Sequence, residues 1–287
     1  MKVLNVLIRI VVAAAAYVIG NMIMGVLAPA FHLPAFKPLG EETAQHAALL
    51  MAIASPLLII GLLPLAAHVK GSWTQRCGAI AALLYVTLGL NTLIEAKIFT
   101  DVVAGSPSLA SLQWVLPCVL TAAAITYRFA EPKAAAPLNT GLWWRVPIAW
   151  LLWPIIYFFF GMCVSPFVVH YYQAQSGALG LHIPSFAVII RTQLLRSAFF
   201  LAASLPAIIL WTKSRGRLIL ALGLAHAVTV GIFPLAQSTF LPMTLRIAHG
   251  IEITCDSFAY AAVLGLLLAR SSKSLKTLRE GTAAAAD

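Results

Sequence analysis

The chain has 287 residues, of which 61% are hydrophobic and 10% charged, with a formal net charge of +10, and its mean hydropathy is +0.92. Soluble domains carry roughly a quarter charged residues, so this composition excludes a water-soluble enzyme or binding domain and predicts an integral membrane protein. The positive surplus is read as membrane topology and attraction to anionic lipid head groups, so the expected partner is the bilayer, with no nucleic acid.

A spanning helix needs about 20 mostly apolar residues to cross a hydrocarbon core of about 30 Å. Eight such runs follow one another, near 8–29, 47–68, 77–99, 109–128, 145–169, 190–211, 217–238 and 246–269. They are apolar on every side, which suits helices rather than the alternating strands of a membrane barrel. The first run follows Lys2 and Arg9 and has the look of a signal peptide. It is long for one and lacks a clear small-residue cleavage site, so it is read as an uncleaved first helix.

Lysine and arginine set the expected orientation, because positive loops stay cytoplasmic. With both termini inside, the breaks carrying Lys70, Arg76, Arg128, Lys133, Arg145, Lys213, Arg215 and Arg217, together with the tail from Arg270 to Arg279, are cytoplasmic. Lys37, Lys97, Arg191, Arg196 and Arg246 then belong to the outer side. Trp73, Tyr127, Trp143, Trp144 and Trp211 fall at inner boundaries, and Trp114, Tyr171 and Tyr172 at outer ones, as interfacial aromatic residues do. The expected location is the plasma (inner) membrane of a bacterium. Cys77, Cys118, Cys163 and Cys255 lie in or beside different runs without C-x-x-C spacing and read as small apolar fillers.

The alanine- and proline-rich stretch AEPKAAAPLNTG at 130–141 divides the chain near its middle. The division predicts a first four-helix half over 1–129, a cytoplasmic linker over 130–142, a second half over 143–270 and a polar tail over 271–287. Arg9, Arg76 and Arg128 are echoed by Arg145, Arg217 and Arg270, NMIMGVLAP by YFFFGMCVSP, and AIASP by AASLP. Four crossings return a chain to its starting side, so a duplication here gives two parallel four-helix repeats about an axis along the membrane normal, an arrangement that often binds a ligand between its halves. The expected fold is therefore an all-α integral membrane protein of eight transmembrane helices in two such repeats.

The sharpest local signal lies at the head of the last run, RIAHGIEITCD, where Arg246, His249, Glu252 and Asp256 enter a segment bound for lipid. At about 100° per residue these four project within an arc of about 120°. Counting about 1.5 Å of rise per residue from the inner arginines puts Glu95, Arg196 and Glu252 in one layer, roughly 25–29 Å from the inner boundary. Asn91 and Asp256 fall about a turn deeper, and Asn91 shares a face with Glu95 by i, i+4 spacing. Gln113 and Gln237 approach the same outer layer from two further runs. A charge near the bilayer centre costs on the order of 2.5–3.5 kcal/mol on insertion scales, so the stripe is expected to face protein or water.

These residues (Asn91, Glu95, Arg196, Arg246, His249, Glu252 and Asp256) form the predicted substrate-binding set. One reading is a small-solute transporter coupled to an ion gradient, its arginines meeting a small polar or anionic solute and its carboxylates exchanging protons. A second is a structural, sensory or assembly protein whose charges only pair helices. A third is an intramembrane enzyme acting on a lipid or lipid-linked group, with Glu95 or Glu252 as base and the arginines holding phosphate. The sequence has no H-E-x-x-H, no paired E-x-x-H, no G-x-S-x-G, no P-loop and no dinucleotide-binding glycine motif, so neither a metal nor a cofactor is expected. His226, in LGLAHAVTVG, reads as a hydrogen-bonded packing residue.

Overall fold

The computed structural model describes residues 3–34, 44–101, 103, 105–127, 141–174, 180–239 and 241–269. The 130–140 portion of the linker, the tail from 270, Lys2, Lys37 and Arg128 lie outside the described residues. Among the described residues eight helices are long and apolar enough to cross a bilayer: α1 Val3–Ala30, α2 Gln45–Ala66, α3 Trp73–Phe99, α4 Pro107–Thr126, α5 Leu142–Gln173, α6 Phe186–Ile209, α7 Arg215–Gln237 and α8 Met243–Leu268. Among the described residues there is no strand, and an isolated bridge joins Val69 to Trp211, just after α2 and α6. The chain is thus an integral membrane protein in which each span satisfies its own backbone polar groups, as hydrocarbon requires.

Local chemistry sets several helix starts. Ser72 opens α3 with a reciprocal capping box, accepting from the Gln75 backbone N–H while the Gln75 side chain accepts from its own. Ser185 caps α6 by accepting from the Val188 N–H. Before α3, Gly71 holds a φ of +131°, a conformation that an L side chain rarely adopts. Arginines close the other ends: Arg9 donates to the Tyr127 carbonyl at the end of α4, and Arg145 and Arg215 donate to the Leu267 and Ala269 carbonyls at the end of α8. Cations suit helix C-termini because the last carbonyls lack intrahelical donors.

In the first half α1 packs along α4 and α2, and α4 along α3; in the second, α5 packs along α8 and α6, and α8 along α7. Across the halves α2 meets α7 and α3 meets α6. Helices α3 and α7 are the most enclosed, whereas α1 and α5 present most of their apolar surface outward. The α1–α4 approach is close at Gly20, where an added Cβ would stand 2.6 Å from the Pro117 Cα. Gly20→Val is therefore expected to lower stability by about 1–3 kcal/mol through overpacking. The check is thermal unfolding against Gly25→Ala, whose Cβ would meet nothing within 4 Å.

Helix α3 is not α-helical throughout. A π turn runs over Tyr85–Leu90, and a second interrupts α7 over Ala227–Ile232. In each, the following N–H reaches back five residues, from Asn91 to the Val86 carbonyl and from Phe233 to the Val228 carbonyl. Thr87 and Thr229, third in their turns, are both fully buried and each donates its hydroxyl to the carbonyl four residues back. Gly89 and Gly231 let α3 and α7 come against Trp114 and Ile253 of the next span. Burial recurs in the same spacing elsewhere, as in Ser55, Leu58, Ile59 and Leu62 of α2 beside Ser197, Phe200, Leu201 and Ser204 of α6. It recurs again in Cys118, Thr121, Ala122 and Ile125 of α4 beside Ser257, Tyr260, Ala261 and Leu264 of α8.

Candidate functional site

Four helices converge on the charged layer. From α6, Arg196 is 1% exposed, and its Nη2 lies 2.7 Å from the Glu95 Oε2 of α3. Its Nη1 donates to the Gln193 Oε1 at 3.1 Å, which also accepts from the Trp153 Nε1 of α5 at 3.0 Å. The guanidinium lies 6.0 Å from the Trp153 ring and 5.7 Å from the Phe200 ring, so aromatic faces cover the parts that the carboxylate does not. Arg196 is thus held by an acid, an amide and two rings, while the Glu95 side chain remains 28% exposed.

A second arm is built on α8. The His249 Nδ1 is 2.7 Å from the Glu252 Oε2, and its Nε2 is 3.2 Å from the Tyr172 hydroxyl of α5. With Nδ1 donating to the carboxylate, Nε2 accepts from the tyrosine, giving one continuous line from Tyr172 through the imidazole to Glu252. The other oxygen of Glu252 turns toward Gly161 of α5, where a Cβ would approach it to 3.3 Å. Glycine at 161 therefore lets the α5 backbone come close to that carboxylate.

One turn deeper, Asp256 is 3% exposed, and its Oδ1 has no hydrogen-bond partner. Glu252, Glu95 and Arg196 all act on it electrostatically. Tyr157 of α5, half-buried, stands within the same field of Glu95, Arg196, Glu252 and Tyr172. Below the acids, Tyr260 packs on Trp153 with ring centroids 5.1 Å apart. The arrangement holds three carboxylates, one guanidinium, one imidazole and two phenols, opening at Glu95 and His249 and closing at Asp256.

Five of the seven predicted residues therefore come together: Glu95, Arg196, His249, Glu252 and Asp256. Asn91 sits one turn below Glu95 on α3, fully enclosed, with neither amide atom hydrogen-bonded. Arg246 turns away from the carboxylates. Its Nε and Nη2 donate to the Leu235 and Ala236 carbonyls at 2.9 and 3.2 Å, closing the C-terminal end of α7. Arg246→Ala is accordingly expected to cost about 1.5–3 kcal/mol, the scale of hydrogen bonds to a charged group, and to leave any ligand binding at the carboxylates unchanged. Unfolding and binding measured on the same variant check both halves of that statement.

Gln113 and Gln237 also leave the layer, donating to the Pro34 and Phe233 carbonyls. His226 is a core residue, bonded to the Ser204 hydroxyl at 3.1 Å, with its ring tilted against that of Phe200. Trp153, Tyr157, Tyr172 and Gln193 enter the site although the sequence reading gave them no part in it. The available signal was Gln193, an amide three residues before Arg196 in an apolar run, where a polar side chain needs a partner. Among the described residues no three His, Cys, Asp or Glu side chains are arranged to hold a metal ion. Comparison with models of protein families, with curated proteins and with solved structures finds no match.

Proposed function

We propose that the chain is a small-solute transporter coupled to an ion gradient, with its site between α3, α5, α6 and α8 and its carboxylates as the coupling groups. The observation that carries this reading is the charge imbalance around Asp256. Three carboxylates share the field of one guanidinium, and the deepest has an oxygen without a partner. A cluster serving only to pin helices needs its charges matched, because a buried charge without a partner is expensive. Surplus acid in an enclosed site calls for a positive charge that arrives and leaves. A proton or another cation supplies this, reaching the carboxylates past the more exposed side chains of Glu95 and His249.

The same reading takes the two halves as parallel repeats. The paired π turns, the matched burial of α2 with α6 and of α4 with α8, and the arginines closing α4 and α8 support it. Under this alignment Ser55 answers to Ser197, so the likeness of AIASP to AASLP is out of register. Repeats related by an axis along the membrane normal suit rocking of one half against the other around a site between them. Both termini are placed on the cytoplasmic side of a bacterial plasma membrane, on the strength of the lysine and arginine bias.

The test is reconstitution into liposomes on a solid-supported membrane, with concentration jumps of amines, carboxylates and neutral polyols across an imposed pH gradient. A pH-dependent current with one of these classes is expected. Electrical silence toward all of them, from protein shown to be folded, would return the cluster to a packing role.

A further inference from the structure

We infer that the Glu252–Asp256 face of this site binds a small organic cation, a protonated primary amine being its compact form. The inference rests on the transporter reading of the same site and deepens it by fixing the charge and size of the ligand.

Four observations lead there. First, neither arginine is offered to an anion. Arg196 is engaged at both terminal nitrogens by Glu95 and Gln193 and flanked by two aromatic rings, with only its Nε lacking a hydrogen bond, and Arg246 is engaged by the carbonyls ending α7. Second, the carboxylates of α8 offer free acceptors, whereas the unpartnered donors Asn91 Nδ2, Gln193 Nε2 and Arg196 Nε belong to α3 and α6. The Oδ1 of Asp256 is enclosed and without a partner, and the second oxygen of Glu252 faces the bare backbone of Gly161. An ammonium group has three donors and no acceptor, which is the complement of such a surface. Third, phenols stand near the acids: the Tyr172 hydroxyl bonds the His249 ring that holds Glu252, and Tyr157 and Tyr172 lie in the field of Glu252. Carboxylates joined with aromatic faces attract an alkylammonium ion both by charge and by the ring quadrupole. Fourth, the clearance is small. A single Cβ on Gly161 would already come within 3.3 Å of the Glu252 Oε1, so an unbranched head group suits the space better than a quaternary one.

The matched positions in the other half give a stoichiometry. The fifth residue beyond each π turn is Glu95 in α3 and Gln237 in α7. Where α6 carries Arg196, the same place on α2, one residue before the buried serine, is Ala54. The acids of α8 answer to Gln113 and Pro117 of α4. The second pseudo-equivalent position is neutral, so one cation binds per chain.

The experiment is calorimetry and thermal unfolding of the full chain in lipid nanodiscs with methylammonium chloride, compared at equal ionic strength with tetramethylammonium chloride and sodium acetate. Methylammonium is expected to bind at one site per chain and to raise Tm, tetramethylammonium to bind more weakly, and acetate to do neither. Asp256→Asn should weaken methylammonium binding by about tenfold or more, the effect of truncating one partner of a buried charge pair. Gly161→Ala, which adds one methyl group and leaves every charge in place, should also weaken it, and it serves as the second variant if Asp256→Asn does not fold. Stabilisation by acetate, methylammonium binding untouched by both substitutions, or no methylammonium binding at all overturns the inference. Methylammonium binding without currents in liposomes removes the transport reading and leaves the cation site standing. Currents driven by a carboxylate, without amine binding, do the reverse.

Discussion

Arg196→Ala is expected to lower the stability of the chain by about 3–5 kcal/mol, the cost of breaking a buried pair and leaving its partner uncompensated. The same substitution strips the Gln193 oxygen of one donor and opens a gap between Trp153 and Phe200, which pack with ring centroids 4.6 Å apart. Glu95→Gln should cost less, because the amide oxygen can still accept from the Arg196 guanidinium. The double variant should cost little more than Arg196→Ala alone, since both singles remove one shared interaction. Reversible unfolding in mixed micelles, followed by tryptophan fluorescence, measures all four corners of the cycle. Strictly additive costs would mean that the 2.7 Å contact between α3 and α6 does not couple the two side chains energetically.

Asp256→Asn has its largest expected effect on coupling. The substitution preserves shape and removes the charge, so stability should change little or rise, because an enclosed acid with an unpartnered oxygen becomes a neutral amide. Ion-driven flux should fall by about 100-fold, the lower end of what a positioned proton-transfer group contributes in other settings. Downhill exchange of solute, which needs no net proton movement, should survive in part. Wild-type ion-driven flux in Asp256→Asn would take the coupling role from this residue, and Glu252→Gln, measured alongside, shows whether its neighbour holds that role instead.

The number and type of the spans could be read from hydropathy because each span is one uninterrupted apolar run, and hydrocarbon leaves such a run no alternative to a helix. Their ends were less legible. Helix α5 runs from Leu142 to Gln173, beyond the expected 145–169, because Trp143, Trp144, Tyr171 and Tyr172 remain helical at the interfaces. The meeting of Glu95 with Arg196 follows from depth alone, since rise per residue is nearly constant. Direction around the helix axis is harder. Arg246 shares a helical arc with Glu252, yet the chain turning from α7 into α8 carries the Leu235 and Ala236 carbonyls to its guanidinium, and no periodicity within α8 reports this. Tyr172 looked like a belt residue because its depth is that of one, and only the neighbouring His249 reveals its second contact. The π turns escaped a reading based on 3.6 residues per turn. Both carry the pattern x-Val-Thr-x-Gly-x, in YVTLGL and AVTVGI, which is visible once the two are set side by side.

Those turns make chain length inside a membrane helix a determinant of where charge points. A π turn accommodates one more residue than the α-helix it interrupts, and each residue advances a helix by about 100°. Everything in α3 beyond Leu90 is thus set by a single inserted position. Removing one residue from 85–90 and letting the helix close into regular α geometry would swing Asn91 and Glu95 together by that angle, carrying Glu95 off Arg196 without altering a side chain in the site. Evolution of this span is therefore constrained in a way that substitution alone does not reveal: its residues can be exchanged within size and polarity, whereas an insertion or deletion between Tyr85 and Leu90 reassigns the face of every residue up to Phe99.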